Sequence, residues 1–376
     1  MNILIAGAGP VGLSAAVLAT AQGHQVTVLE SEPESAPRPG SRAIFLHRAS
    51  LDTLAAADPV LAGALAGEGL TWRGKQTMWG GREIFRRTYP AMPVSHAPFA
   101  SLPQQHIESH LRSACQRAGV RVQWNTPVTD VVTGADHVEA SGHRGAFLIG
   151  ADGARSAVRT AIGSRLTGAR ADNAFIVVDL NDDVHHPLPP FRVFHYRHPG
   201  AGGRNVLLVP FRGGWRVDLQ CRPGDDPAAL VANPHRWLRP LLPAGHAADI
   251  TWASQYRFQQ LVADKFTEGR VLLAGEAAHL FAPFGARGLN SGIADAAAAV
   301  RAISVGDLTN YGRIRRAAAL RNQAAAGRAL RHLLARDPVT RWRQHAAATS
   351  RLATAATWLD NAPYGPRDAG IPGSLY

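Results

Sequence analysis

Ile3-Leu4-Ile5-Ala6-Gly7-Ala8-Gly9-Pro10-Val11-Gly12, followed by an Ala/Leu-rich run from Leu13 to Gln22, is the stretch that decides the fold. Its first four residues are an unbroken apolar run, the mark of a strand buried on both faces. The glycines then fall at Gly-x-Gly-x-x-Gly spacing, and a helix is expected from Leu13 onward. Val26-Thr27-Val28-Leu29 reads as a second strand, ending on the acid Glu30. Strand, Gly-rich turn, helix, strand and acid form the context in which this motif holds a dinucleotide, the Rossmann fingerprint. Gly7 permits the tight turn, Gly9 lets the backbone approach a pyrophosphate, and Gly12 lets helix and strand pack closely. Phosphates would sit where Pro10 and Val11 start the helix, because unpaired N–H groups and the dipole there favour negative charge. Glu30 would accept hydrogen bonds from a ribose. The glycines alone also suit a βα turn that binds nothing; the two strands and the acid favour the nucleotide.

The chain has 376 residues, enough for a large core and two domains. No apolar run is long enough to span a bilayer. The first strand begins at once, so no signal or transit peptide is expected and the location reads as cytoplasmic. Cys115 and Cys221 have neither CxxC nor metal-ligand spacing, so buried free thiols and no metal site are expected. A net charge of +12 raises nucleic-acid binding. Only Lys75 and Lys265 are lysines, however, so the charge is nearly all arginine in an Ala-rich chain, a compositional bias. The modest concentration from Arg301 to Arg343 lies at helical spacing, as on a solvated face; attraction of anionic cofactors or substrates is the functional alternative. No nucleic-acid partner is expected.

Arg48 to Leu65 reads as a helical stretch, and residues 71–95 as short strands of another domain. A helix is expected after Pro103. Strands are expected at Val120 to Trp124, at Val128 to Val132, and at Phe147 to Ala151. Ala174 to Leu180, Arg192 to Tyr196, Asn205 to Pro210 and Trp215 to Leu219 are strand-like runs separated by Pro/Gly turns, which reads as an antiparallel sheet. Arg270 to Ala274 returns to a buried parallel-type strand. A helical region from Leu289 to about Ala356 breaks near Gly306 and Pro338.

Four further segments line up with the fingerprint. They are Gly40-Ser41-Arg42-Ala43-Ile44; Ser101-Leu102-Pro103-Gln104-Gln105-His106-Ile107-Glu108; Gly150-Ala151-Asp152-Gly153, continuing to Arg159; and Gly269 to His279, continuing through Pro283-Phe284-Gly285-Ala286-Arg287-Gly288-Leu289-Asn290 to Ala296. In this order they resemble the class A flavoprotein monooxygenases, the aromatic hydroxylase family typified by para-hydroxybenzoate hydroxylase, with the phenol-hydroxylase-like subgroup nearest. The resemblance covers about residues 1–300 and implies an α/β fold: a Rossmann-type FAD-binding domain with an inserted antiparallel-sheet substrate domain and C-terminal helices. On that reading residues 1–70, 96–165 and 262–360 make the discontinuous FAD-binding domain with its helices. Residues 71–95 and 166–261 make the substrate-binding β-sheet domain, and 361–376 an irregular tail.

The resemblance implies extended FAD, with its adenosine end at Glu30 and its pyrophosphate at Gly9 to Gly12. Arg42 would neutralise the pyrophosphate from the far side, and Gln104 would contact the ribityl or ring region. Asp152 belongs to the motif that serves both FAD and the nicotinamide, while Arg159 reads equally as a helix salt-bridge residue. Glu276 stands where the family has an aspartate that bonds a ribityl hydroxyl. Pro283, Gly288, Leu289 and Asn290 would border the isoalloxazine, where a helix N-terminus favours negative charge on reduced flavin. Arg287 would face either the substrate cavity or solvent.

The implied activity is an NAD(P)H-dependent flavoprotein monooxygenase, with NADPH or NADH a transient co-substrate. It would use O2 to hydroxylate a phenol-like or polycyclic aromatic substrate through a flavin hydroperoxide. An FAD-dependent reductase or dehydrogenase, or a halogenase of the same fold, is the alternative. A homodimer is compatible with the pattern. His47, His106, His195 and Tyr196 are candidates for a base that ionises a phenol, none singled out, so the catalytic residue stays unknown. His279 reads as structural.

Overall fold

The computed structural model describes residues 1–36 and 45–364. Arg42 and its segment from Gly40 to Ile44 lie outside the described residues. The chain opens with β1 (Asn2–Ala6), α1 (Pro10–Ala21) and β2 (Gln25–Leu29). Next come β3 (Leu46–His47), α2 (Arg48–Ala55), α3 (Pro59–Glu68), β4 (Gly74–Trp79), β5 (Arg82–Thr88), β6 (Phe99–Ala100), α4 (Gln104–Arg117) and β7 (Arg121–Gln123). Then follow β8 (Val131–Thr133), β9 (Val138–Ala140), β10 (His143–Gly145), β11 (Phe147–Gly150), α5 (Ala157–Ala161) and β12 (Leu166–Asn181). The middle continues with β13 (Phe191–His198), β14 (Arg204–Phe211), β15 (Gly214–Gln220), α6 (Pro227–Ala232), α7 (Pro234–Leu238) and β16 (Ile250–Ala263). The last elements are β17 (Thr267–Glu268), β18 (Val271–Leu273), β19 (His279–Leu280), α8 (Arg287–Val305), α9 (Leu308–Leu334), α10 (Pro338–Thr349) and α11 (Ala353–Asn361).

Two sheets organise these elements. The first runs β17-β18-β11-β1-β2-β7 and is parallel except at β17–β18. Ile3 to Ala6 are at most 1% exposed, because the central strand is covered on both faces. α1 packs against β1, α4 and α8, which is why it is apolar on nearly every side. The second sheet runs β19-β16-β12-β15-β14-β13-β4-β5. The purely antiparallel middle sheet expected from the sequence needs one correction, since β4 pairs with β13 in parallel. β4 arrives from the early part of the chain, so no hairpin fixes its direction relative to β13.

Two other expectations change. The helical stretch from Arg48 to Leu65 divides into α2 and α3: Pro59 cannot continue a helix, and the Asp58 side chain accepts from the Leu61 N–H at 2.9 Å to cap the next. β16 has no counterpart in the sequence reading, because Ser254, Gln255, Arg257, Gln259 and Gln260 interrupt the period-2 pattern. No helix among the described residues is long and apolar enough to cross a membrane.

Alternation along β15 gives the second sheet two different faces. Trp215, Val217 and Leu219 join a core with Trp237 and Leu238 of α7. Arg216, Asp218 and Gln220 therefore lie on the other face. On that face Phe175 of β12 stands edge-on to Phe284, and Leu207 of β14 and Phe284 pack against the same cluster around Phe194 and Tyr196, so the segment at 283–287 stands over it.

Candidate functional site

The Gly-rich turn is built as its sequence requires. Gly7 has φ +99°, and a Cβ there would lie 2.5 Å from the Ala151 carbonyl oxygen. A Cβ on Gly12 would lie 1.9 Å from the Gly7 carbonyl oxygen, so α1 and the turn meet backbone to backbone. Gly9 is the N-cap of α1, with Pro10 in the first turn, and among the described residues no side chain caps the leading N–H groups. A Cβ on Gly9 would meet no described atom within 4 Å. Glu30 is buried at the end of β2. One of its oxygens accepts from the Ala8 N–H at 2.6 Å, and the other from the Glu32 N–H at 3.0 Å and the Ser31 hydroxyl at 3.1 Å. A carboxylate has about four acceptor sites, which leaves room for another donor.

Three separated segments converge on this turn. Ala151 presses on Gly7, while Gly275 and Gly292 both press on Val11; a Cβ on either would meet the Val11 side chain at 2.9 and 2.4 Å. Asp152, just after Ala151, accepts from the Ser156 hydroxyl at 2.5 Å and the Val158 N–H at 3.1 Å, which fixes the start of α5. Arg159 makes no ion pair among the described residues. Instead it donates to the Ala277 and Ala154 carbonyls, both at 3.0 Å, and ties the two motif segments together. Glu276 is half-buried and makes no hydrogen bond among the described residues.

The segment at 283–290 is clamped from beneath. Asn290 donates to the Phe45 carbonyl at 3.0 Å and the Ala286 carbonyl at 2.7 Å. Its oxygen accepts from the His47 N–H at 2.8 Å and the Ser50 hydroxyl at 2.7 Å. All four hydrogen-bonding positions of the amide are thus used. Arg287 is buried and donates to Asn322 at 2.8 Å and to the Tyr364 carbonyl at 3.2 Å. Of the two places expected for Arg287, solvent is ruled out by its 5% exposure. Beneath α8, Asp295 accepts from the Gly275 N–H at 3.1 Å, pairs with Arg315 at 2.6 Å and meets His279 at 2.7 Å. Burial raises the Asp295 carboxyl, but Arg315 and His279 outweigh it and hold it below the ordinary carboxylate value. The His279 ring stacks on Phe281 at 4.4 Å.

The candidate bases scatter. His106 pairs with Glu68 on the surface. His195 points to the opposite face of the sheet and stacks edge-on against His198 at 4.6 Å; burial pushes it down to about 3. Tyr196 is buried, donates to the Leu359 carbonyl at 2.8 Å and contacts His332 at 2.8 Å. His47 bonds the Gly285 carbonyl at 3.1 Å, and burial pushes it down to about 4. Gln104 opens α4 and donates along the helix to Glu108 at 2.8 Å.

The sequence reading missed the charged groups on the sheet face. Arg216 grips Asp179 through two bonds of 2.8 and 2.7 Å, both side chains buried. Asp218, Arg192 and the buried Lys75–Asp360 pair share that face. The signal was available in Trp215-Arg216-Val217-Asp218-Leu219, where charges alternate with apolar residues inside a strand.

A Gly-rich βα turn braced by two further turns, with a mixed sheet standing over a clamped loop, defines a dinucleotide-binding α/β protein with an appended sheet. The chain belongs to the FAD binding domain family, whose model matches residues 1–305. It is 33% identical over 319 residues to 6-methylpretetramide 4-monooxygenase of Streptomyces rimosus, covering 78% of this chain and 54% of that protein. It is 28% identical over 319 residues to para-nitrophenol 4-monooxygenase of Pseudomonas sp. strain WBC-3, covering 78% and 75%. The structure is similar to that of p-nitrophenol 4-monooxygenase PnpA from Pseudomonas putida DLL-E4, with a TM-score of 0.76, 25% identity, and coverage of 98% and 94%. The chain spans about half the length of several curated relatives; for a 3-(3-hydroxy-phenyl)propionate/3-hydroxycinnamic acid hydroxylase of Mycolicibacterium smegmatis the share is 53%.

Proposed function

We propose that this chain is an FAD-dependent monooxygenase that uses NADPH or NADH and O2 to hydroxylate a phenol-like or polycyclic aromatic substrate. The observation that carries this reading is the convergence of the Gly7–Gly12 turn, the Gly275–Glu276 turn and Gly292 of α8 on Val11. The residues fit FAD. The leading amides of α1 suit a pyrophosphate between Gly9, Pro10, Val11 and Gly12, and Glu30 retains an acceptor site for the ribose. Glu276, without a hydrogen-bond partner among the described residues, is available to a ribityl hydroxyl. Asp152 lies beside the turn, and Pro283, Gly288, Leu289 and Asn290 hold the ring edge. Arg42 and Gln104 are assigned on resemblance alone.

FAD, when bound, supplies the redox chemistry and the activation of O2. The chain's task is position and dryness. Asn290 fixes the loop, the N-terminus of α8 would favour negative charge on the reduced ring, and the apolar side chains Leu207, Phe284 and Phe194 would exclude water from between loop and sheet.

The test is an absorption spectrum of the purified protein, then NADPH and NADH oxidation with a panel of phenols and fused aromatics. Flavin bands, substrate-stimulated oxidation and a product heavier by one oxygen are expected. Oxidation of NAD(P)H with no oxygenated product would move the reading to a reductase, and absence of flavin even after adding FAD would overturn it.

A further inference from the structure

We infer that Asp218 accepts a hydrogen bond from a ring hydroxyl of the substrate and so selects hydroxylated aromatics over their hydroxyl-free counterparts. This rests on the proposed monooxygenase function and takes the space between the second sheet and the loop at 283–290 as the place of the substrate.

The argument begins with register. Asp218 lies directly opposite Leu207 on β14 and Val177 on β12. Directly opposed residues in an antiparallel pair point to the same face. Leu207 and Phe284 of the loop pack against the same cluster around Phe194 and Tyr196, and Phe175, which shares the Asp218 face, stands edge-on to Phe284 at 6.1 Å, so the Asp218 carboxylate is on the face that looks toward the loop. Apolar side chains, Leu207, Phe194 and Phe175 among them, thus stand beside the charged groups on that face.

One oxygen of the carboxylate, Oδ1, is shut off from solvent and has no hydrogen-bond partner among the described residues. Arg216, two residues earlier on the same strand, is already held by both oxygens of Asp179. A buried acceptor without a donor is costly unless something else supplies one. An ionised carboxylate can only accept, so its complement is a hydroxyl or another donor. Next to Leu207, Phe194 and Phe175, a phenolic O–H brings that donor together with a ring that suits the apolar side chains.

Charge state makes the interaction pH-dependent. Burial pushes Asp218 up to about 6; Arg216 and Arg192 lower it and Asp179 raises it. Lys75, paired with Asp360, shares the sheet face. His47, Arg287 and Tyr364 lie on the facing segments. Above about pH 6 Asp218 accepts; below it the protonated carboxyl loses the charge-assisted bond.

The experiment uses the FAD-loaded protein, with 2-naphthol and its methyl ether 2-methoxynaphthalene as probes. Their dissociation constants are measured at pH 8 and pH 5 for the wild type and for Asp218→Asn. The wild type is expected to prefer the naphthol by about tenfold or more at pH 8, and by about threefold or less at pH 5. Asp218→Asn is expected to show a preference of about threefold or less at both pH values. The wild-type pH effect needs no variant, so the test stands even if Asp218→Asn folds poorly. A preference unchanged by pH and by the substitution, or a wild type that binds neither probe, overturns the inference. An Asp218-dependent preference in a protein that forms no oxygenated product would support this site while overturning the monooxygenase reading.

Discussion

The Lys75 ammonium and the Asp360 carboxylate form an ion pair in which both side chains are at most 2% exposed, fastening α11 to β4. Thr77 donates to the same carboxylate at 2.8 Å, and the Lys75 nitrogen sits 5.3 Å from the Tyr364 ring centre. Burial pulls the Lys75 pKa below its ordinary value, against the attraction of Asp360. Removing one member of such a pair strands the other, at a cost of about 3–5 kcal/mol. Asp360→Asn is therefore expected to lower the urea midpoint sharply. The double variant Lys75→Met with Asp360→Leu is expected to recover at least about half of that loss. Equal midpoints for the wild type and Asp360→Asn would show that the pair does not fasten the C-terminal helices.

Stability should fall steeply in mild acid. His47 and His332 are both buried, and burial pushes each down to about 4 from an ordinary 6.5. Between those values the unfolded chain binds protons that the folded chain refuses, so stability is lost as the pH falls from about 6.5 toward 4. Each residue contributes about 3 kcal/mol over that window, and the two together rival the 5–15 kcal/mol that holds a typical fold. Urea unfolding at pH 7, 6, 5 and 4 should show the slope. His47→Asn and His332→Gln should each flatten it, even where they lower stability at pH 7.

Legibility of the sequence followed the range of the interactions. The Gly7–Gly12 turn, β1, α1 and β2 could be read because each depends on neighbours within a few residues, and the helix breaks near Gly306 and Pro338 for the same reason. The parallel pairing of β4 with β13 could not be read, since no local feature fixes it. Nor could the Lys75–Asp360 pair, whose members lie at opposite ends of the chain. His195 and Tyr196 show the limit within one strand: they are adjacent, point to opposite faces, and only the assembled sheet says which face meets the loop. Asp218 went unread, since its only local signal is alternation, which identifies a polar face but not what stands over it.

Glu276 separates ligand binding from folding. It makes no hydrogen bond among the described residues and is half-buried, so Glu276→Ala should leave the unfolding free energy in urea within about 0.5 kcal/mol of wild type. If its carboxylate bonds a ribityl hydroxyl, losing that charge-assisted bond should weaken FAD binding about tenfold or more. Glu276→Asp, which shortens the arm by one methylene, should bind FAD at least as well as Glu276→Ala. Fluorescence titration of the apoprotein with FAD measures all three. Unchanged affinity in Glu276→Ala would remove Glu276 from the cofactor site.

Gly9 and Gly12 make the same distinction inside one turn. Gly9 has an extended backbone, φ −74° and ψ 176°, that any residue adopts, and a Cβ there meets no described atom within 4 Å. Gly9→Ala should therefore fold with a melting temperature close to that of the wild type. The added methyl would project into the space before the α1 amides, where a pyrophosphate must approach the backbone, so FAD affinity should drop about tenfold or more. Gly12 is the reverse case. Its Cβ would lie 1.9 Å from the Gly7 carbonyl oxygen, an overlap that separation of α1 from the turn must relieve. Gly12→Ala should lose about 3 kcal/mol or more of stability before any ligand is added. If Gly9→Ala binds FAD as the wild type does while Gly12→Ala unfolds, the turn is a packing device only, and the pyrophosphate does not lie on α1.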